Sequence, residues 1–205
     1  MKRIICTALF VALCMGLLTG CSKKTDVDTS TVFIEKKGNI VSVDVESLDK
    51  EYYDEEELEG YITQHVLDYA DESGGDVEKV SFAVEEGTAK LQMKYGSYED
   101  YSGFNGIEFY SGTVLTAQAQ GYDFETGFYS VPDDLEEAKK SASKEDVLAD
   151  DDSKVAVIKA NVNVRVPGKV LFVSGEDTEV LDKNTVSITG SETAEEASLT
   201  YIVYK

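Results

Sequence analysis

In Ile40-Val41-Ser42-Val43-Asp44-Val45, Val41, Val43 and Val45 alternate with Ser42 and Asp44. Successive side chains of a strand point to opposite faces, so this period-two pattern specifies a β-strand with one buried face. Val32-Phe33-Ile34 stands just before it, separated by the turn-forming Lys36-Lys37-Gly38-Asn39, and the stretch from Thr31 to Glu46 therefore reads as a hairpin. The pattern repeats downstream. Val80, Phe82 and Val84 alternate, Glu86-Gly87-Thr88 turns the chain, and Ala89, Leu91, Met93 and Tyr95 alternate again.

Between the hairpins the period changes to that of a helix. Asp54 followed by Glu57 is a capping-box pattern. Leu58, Tyr61, Ile62, His65, Val66, Tyr69 and Ala70 then recur at helical spacing until Gly74-Gly75 ends the run. Ser97 to Phe104 reads as a short helix or turn with Tyr98, Tyr101 and Phe104 on one side, broken by Asn105-Gly106. A brief strand is expected at Ile107 to Tyr110, a helical turn at Gly112 to Gln120, and extended chain from Phe124 to Val131. Asp133 to Asp152 is rich in Glu, Lys, Ala and Asp, lacks aromatics and follows Pro132, so it reads as an exposed acidic helix or a linker. Beyond it, Val155 and Val157 share one parity and Val162, Val164 and Val166 the other, which implies a bulge or bend in one long strand. Further strands are expected at Val170 to Val173, Thr185 to Thr189 and Leu199 to Tyr204. The fold class that follows is α+β: antiparallel β-hairpins packed with one main amphipathic helix, and a β-rich carboxyl-terminal part. Residues 31–205 make a single domain in this reading, with 133–152 as the segment able to separate two subdomains.

The amino terminus carries a different signal. Lys2 and Arg3 precede an apolar run from Ile4 to Leu18, and small residues then stand before a cysteine, which is secretory-leader architecture. Leu18-Thr19-Gly20-Cys21 resembles the lipobox of bacterial lipoproteins. That resemblance implies cleavage before Cys21, a diacylglyceryl thioether on its sulfur, palmitate-type acylation and a location on the extracytoplasmic face of the cell membrane. Residues 1–20 are then a signal peptide, and the polar stretch 21–30 a flexible tether. Two acyl chains anchor stably where one does not. Cys6 and Cys14 leave with the leader, so no thiol pair remains for a disulfide or a thiolate metal site. Cleavage also removes two basic residues and no acid, taking the formal net charge from −21 to −23. Such a field disfavours nucleic acid and an anionic lipid surface as partners.

Thr31 to Val131, through Ile40-Val41-Ser42-Val43-Asp44-Val45, Phe104-Asn105-Gly106 and Gly121-Tyr122-Asp123-Phe124, resembles the uncharacterised lipoproteins common in clostridia-like Firmicutes. Val164 to Ile188, with Val166-Pro167-Gly168-Lys169-Val170 and Asn184-Thr185-Val186, is similar to the LppM-type lipoprotein domain. Neither resemblance implies an activity.

The motifs of known chemistry are sparse. Ser141-Ala142-Ser143-Lys144 has the S-x-x-K spacing of penicillin-recognising enzymes, but no Ser-Asp-Asn or Lys-Thr-Gly accompanies it. His65, the single histidine, lies on the apolar side of the main helix, and the chain has no G-x-S-x-G elbow. Asp150-Asp151-Asp152 lacks the spaced ligands of a calcium loop, and no metal or cofactor is implied. Aromatic residues, however, are unevenly distributed. Ten of the 20 Tyr and Phe lie between Tyr95 and Tyr129, several of them beside glycine turns. Tyr98, Tyr101, Phe104, Asn105, Tyr122 and Asp123 are accordingly the expected ligand-binding residues, for a protein or carbohydrate partner. The expectation is a non-enzymatic lipid-anchored protein that binds or assists envelope assembly; the alternative is a carboxylate-dependent hydrolase of envelope glycan or peptide.

Overall fold

The computed structural model describes residues 25–48, 50, 53–150, 152–175, 177–190 and 197–205. The expected signal peptide, Cys21 and the first residues of the expected tether lie outside them. The two hairpins form as the alternation requires. β1 (Thr31–Ile34) pairs antiparallel with β2 (Ile40–Ser47), and β3 (Val77–Glu85) with β4 (Thr88–Tyr95). Glu86 and Gly87 both take positive φ, 50° and 77°, in the two-residue loop that matches the strands' twist. An irregularity between Lys79 and Ser81 pushes Val80 outward, so β3 turns Val77 and Lys79 inward before it and Phe82 and Val84 after it.

Helix α1 (Glu55–Ser73) starts at Asp54, whose side chain accepts a hydrogen bond from the Glu57 amide, and stops at Gly74 in the left-handed region. Its apolar stripe is narrower than the sequence suggests. Ile62, Val66 and Tyr69 reach the core, while Tyr61, His65 and Ala70 are exposed. Helix α2 (Tyr98–Asn105), capped by Ser97 and Gly106, packs beside it.

Downstream, β5 (Phe109–Thr113) begins later than expected, because residues 106–108 are used in leaving α2. Then come α3 (Val114–Ala119), β6 (Phe128–Ser130), β7 (Lys140–Ala142), α4 (Lys144–Leu148) and β8 (Lys154–Ile158). Only residues 128–130 of the expected extended segment 124–131 are strand, since Phe124 turns the chain with φ 56°. The acidic stretch 133–152 is neither one exposed helix nor a bare linker. It supplies β7, which pairs with β6, and α4, which buries Val147 beneath a Ser143–Asp146 capping box.

β9 (Asn163–Arg165), β10 (Val170–Ser174), β11 (Thr178–Asp182), β12 (Thr185–Ile188) and β13 (Thr200–Tyr204) complete the described fold. The change of parity after Val157 is not a bulge. β8 and β9 belong to different sheets, and residues 159–162 carry the chain from one to the other. The first sheet runs β11-β12-β9-β1-β2-β4-β3 and the second β5-β8-β13-β10-β6-β7, with β1 and β9 the one parallel pair among the described residues. One apolar core joins the sheets. Val32, Ile40, Met93, Tyr95, Val164 and Val186 of the first meet Phe109, Ile158, Val173 and Ile202 of the second. The other face of the second sheet carries Val155, Val157, Tyr201 and Val203 beneath Val114 and Ala117 of α3, Phe124 and Val147.

The end of the expected tether is docked. Ser30 Oγ donates to the Val45 carbonyl and accepts from its amide, Asp28 pairs with Lys90 at 2.9 Å, and Val27 packs on Phe33, Val41 and Val43. These three residues form a small apolar cluster on the outer face of the first sheet. The Arg165 guanidinium lies 5.6 Å from the centre of the Phe33 ring.

Candidate functional site

The aromatic residues between Tyr95 and Tyr129 divide into two rows, one on each side of the second sheet. The inner row belongs to the shared core. Tyr101 lies between Tyr95 and Phe109, with ring centres 5.0 Å and 5.1 Å away, and Phe104 packs on Tyr95 and Tyr69. Tyr101 is 5% exposed, which removes it from any binding face. Burial pushes its hydroxyl pKa far up, and burial together with the nearby Asp44 carboxyl pushes Tyr95 up to about 12 despite its bonds to Asn105 and Ser42. Asn105 is exposed, but its amide is occupied, donating to the Tyr101 carbonyl at 2.8 Å and to the Tyr95 hydroxyl at 3.3 Å. Asn105 therefore closes the end of α2 over the core.

The row surfaces at α1. His65 lies tilted 4.5 Å from Phe104 and stacks 6.1 Å from Tyr61. The histidine is exposed, not packed into the apolar side of the helix, because α1 is rolled so that Ile62, Val66 and Tyr69 face the core.

The outer row holds the other three expected residues. Tyr98 and Tyr122 flank Tyr110 at ring-centre distances of 5.0 Å and 5.3 Å, and the row continues from Tyr122 to Tyr201 and on to Phe124 and Phe128. Tyr110 is buried and locked, its hydroxyl 2.5 Å from Thr116 Oγ1 in α3. Tyr98 and Tyr122 are half-buried, and Asp123 is exposed beside them. Carboxylates surround the row. Burial and a bond to Glu99 push Tyr98 up to about 12, and burial and the Glu108 carboxylate raise Tyr122. Burial, Asp123 and Glu108 raise Tyr201 in turn. Tyr98 and Tyr122 are thus brought together from α2 and the loop after α3, while Tyr101, Phe104 and Asn105 belong to the inner row. Sequence reading missed Tyr110, Tyr201 and Glu108, which no spacing relates to Tyr98 until the second sheet is assembled.

The short sequence motifs form ordinary local structure. Ser141 lies on a strand and Lys144 in the first turn of a helix, so they do not share the helical turn a serine–lysine pair requires, and Lys144 pairs with Glu125 at 2.5 Å. Asp150 is held by Lys205 at 2.7 Å, which lowers its pKa. Among the described residues no group of three or more His, Cys, Asp or Glu is placed to hold a metal ion, and no helix is long and apolar enough to cross a membrane. One carboxyl stands apart. Asp44 points to the inner face of β2, half-buried and bonded by Ser42 Oγ at 2.9 Å, and burial followed by the Glu46 charge raises its pKa while that bond lowers it. Compared with known proteins, the chain matches no family model, no curated protein and no solved structure.

Proposed function

We propose that this is a lipid-anchored protein of the extracytoplasmic membrane face, without catalytic activity, that binds a protein or carbohydrate ligand of the envelope along the outer tyrosine row. The observation that carries the reading is the placement of Tyr98 and Tyr122 on either side of the locked Tyr110. Rings fixed before binding lose little freedom when a ligand arrives, and each tyrosine offers a broad apolar face together with a hydroxyl. The surrounding Glu99, Glu108 and Asp123 disfavour anionic ligands such as nucleic acid. Lipid attachment at Cys21 rests on the leader sequence.

The acylated protein is titrated calorimetrically with soluble cell-wall glycan fragments and with envelope-derived peptides. One of these is expected to bind, and Tyr122→Ala to weaken it about tenfold, equivalent to about 1.4 kcal/mol. Equal affinity in the variant, or no binding of either probe, rejects the row as the site. Cys21→Ala is expected to abolish incorporation of labelled palmitate; continued labelling rejects the anchor.

A carboxylate-dependent hydrolase of envelope glycan or peptide is the competing reading, and Asp44 is the observation in its favour. A general acid needs a carboxyl whose pKa is raised, as burial raises that of Asp44, and Glu46 follows on the same face of β2. Turnover of a glycan or peptide substrate that disappears in Asp44→Asn would select this reading over the first.

A further inference from the structure

The docked segment at residues 25–30 bears on how the protein stands on its membrane. Its contacts lie on one surface, the outer face of the seven-stranded sheet. Val27 covers Phe33, Val41 and Val43, Asp28 pairs with Lys90 of β4, and Ser30 is bonded to Val45 of β2. Cys21 is four residues before Thr25. A polypeptide spans at most about 3.6 Å per residue whatever its conformation, so the cysteine lies within about 14 Å of Thr25 and about 22 Å of Val27. A domain of this length has a radius of gyration of about 16 Å and is therefore about 40 Å across. The link is shorter than the body it holds.

From this we infer that the outer face of the seven-stranded sheet is the membrane-facing surface and looks onto the phospholipid headgroups. This rests on lipid attachment at Cys21. A lipid placed against the opposite side would need a link that travels around the domain, which four residues cannot do.

The charge carried by this face is small enough not to oppose the orientation. By the strand register, the residues turned to this face include Lys90, Lys94 and Arg165 against Glu78, Glu85, Glu179 and Asp182. With Asp28 and Asp26 of the docked segment, which lie beside Lys90, that is three bases against six acids, a net −3 on this face in a chain of net charge −21. Net charge describes the whole protein, but repulsion from lipid phosphates falls off within about 8 Å at physiological salt, so only the facing surface determines it. The strongly acidic character expected to disfavour an anionic membrane therefore lies mostly on other surfaces. Tyr122 stands on the far side of the second sheet, and Tyr98 where the shared core and the outer row meet, both away from the bilayer.

The test uses the full acylated protein reconstituted in phosphatidylglycerol–phosphatidylethanolamine vesicles with a nitroxide on the lipid headgroups. Ser81→Cys and Lys94→Cys place a fluorophore on the outer face of the first sheet, and Gln118→Cys and Glu145→Cys place one over the second. All four positions are exposed, and Cys21, once acylated, does not react with the label. Quenching several-fold stronger at 81 and 94 than at 118 and 145 is expected. Equal quenching at all four positions in a protein that carries palmitate overturns the orientation and leaves the anchor intact. Absence of palmitate, with vesicle binding unchanged in Cys21→Ala, overturns both.

Discussion

At the scale of single residues, burial separates side chains that the sequence presents as equivalent. Asp44 occupies a strand position whose neighbours on the same face are Ile40 and Ser42, so its carboxyl is carried toward the core by the alternation that forms β2. Burial is the main cause of its raised pKa, which means the folded chain holds that proton more tightly than the unfolded one. The resulting stability is fully present below the ordinary value of 3.8 and is lost as pH rises through the folded value. Asn keeps an acceptor for Ser42 and carries no charge. Asp44→Asn is therefore expected to have a higher urea midpoint than the parent at pH 7, with the difference vanishing below about pH 4; a lower midpoint at pH 7 would contradict it. The candidate site was legible only in part at this scale. The crowding of Tyr and Phe between 95 and 129 is visible in the sequence, but Tyr98 and Tyr101, three residues apart on one helix, end in different places, Tyr101 buried in the shared core and Tyr98 half-buried where that core and the outer row meet. Which of them surfaces is decided by β5 and β8, elements that no local pattern links to α2.

At the scale of elements, the strongest local patterns form where the sequence indicates. The two amino-terminal hairpins combine alternation with turn residues at Gly38 and Gly87, both of positive φ, and α1 has a cap at each end. The elements that escaped are short edge strands with little apolar content. Lys140–Ala142 and Thr178–Asp182 bury few side chains, and each is strand because a neighbour offers it a hydrogen-bonding edge. The parity change after Val157 was a genuine signal with two physical causes, and the sheet crossover needs knowledge of both sheets to distinguish it from a bulge. Helix α1 also carries an unfavourable feature. Its last turn has no basic residue, while Asp71 and Glu72 stand near the negative end of the helix dipole. Reversing one charge there, in Glu72→Lys, is expected to stabilise the protein by about 0.3–1 kcal/mol at low ionic strength. Urea midpoints measured with and without about 1 M salt check this, since the gain should largely disappear on screening. A variant no more stable than the parent at low salt would show that the last turn is governed by Tyr69 and its contacts instead.

At the scale of the whole molecule, the chain's path binds its two sheets into one cooperative unit. After β8 in the second sheet it enters the first at β9, returns at β10, leaves again for β11 and β12, and ends in the second sheet at β13. No single cut between these elements separates the sheets, and the parallel pairing of β9 with β1 ties the carboxyl-terminal half to the first described strand. The shared core adds the energetic link, because Val164 and Val186 of one sheet and Ile158 and Ile202 of the other are all fully buried in it. Removing one sheet would expose the inner face of the other, at about 25 cal/mol for each Å² of apolar surface returned to water. Unfolding in urea is therefore expected to be a single transition, reported identically by far-ultraviolet dichroism, which follows the strands and helices, and by near-ultraviolet dichroism of the tyrosines. Ile202→Ala, in the second sheet, should lower stability by about 2–5 kcal/mol and shift both signals together. If the tyrosine signal, drawn largely from the rows beside the second sheet, shifted while the backbone signal kept a second, unshifted transition, the sheets would be independent.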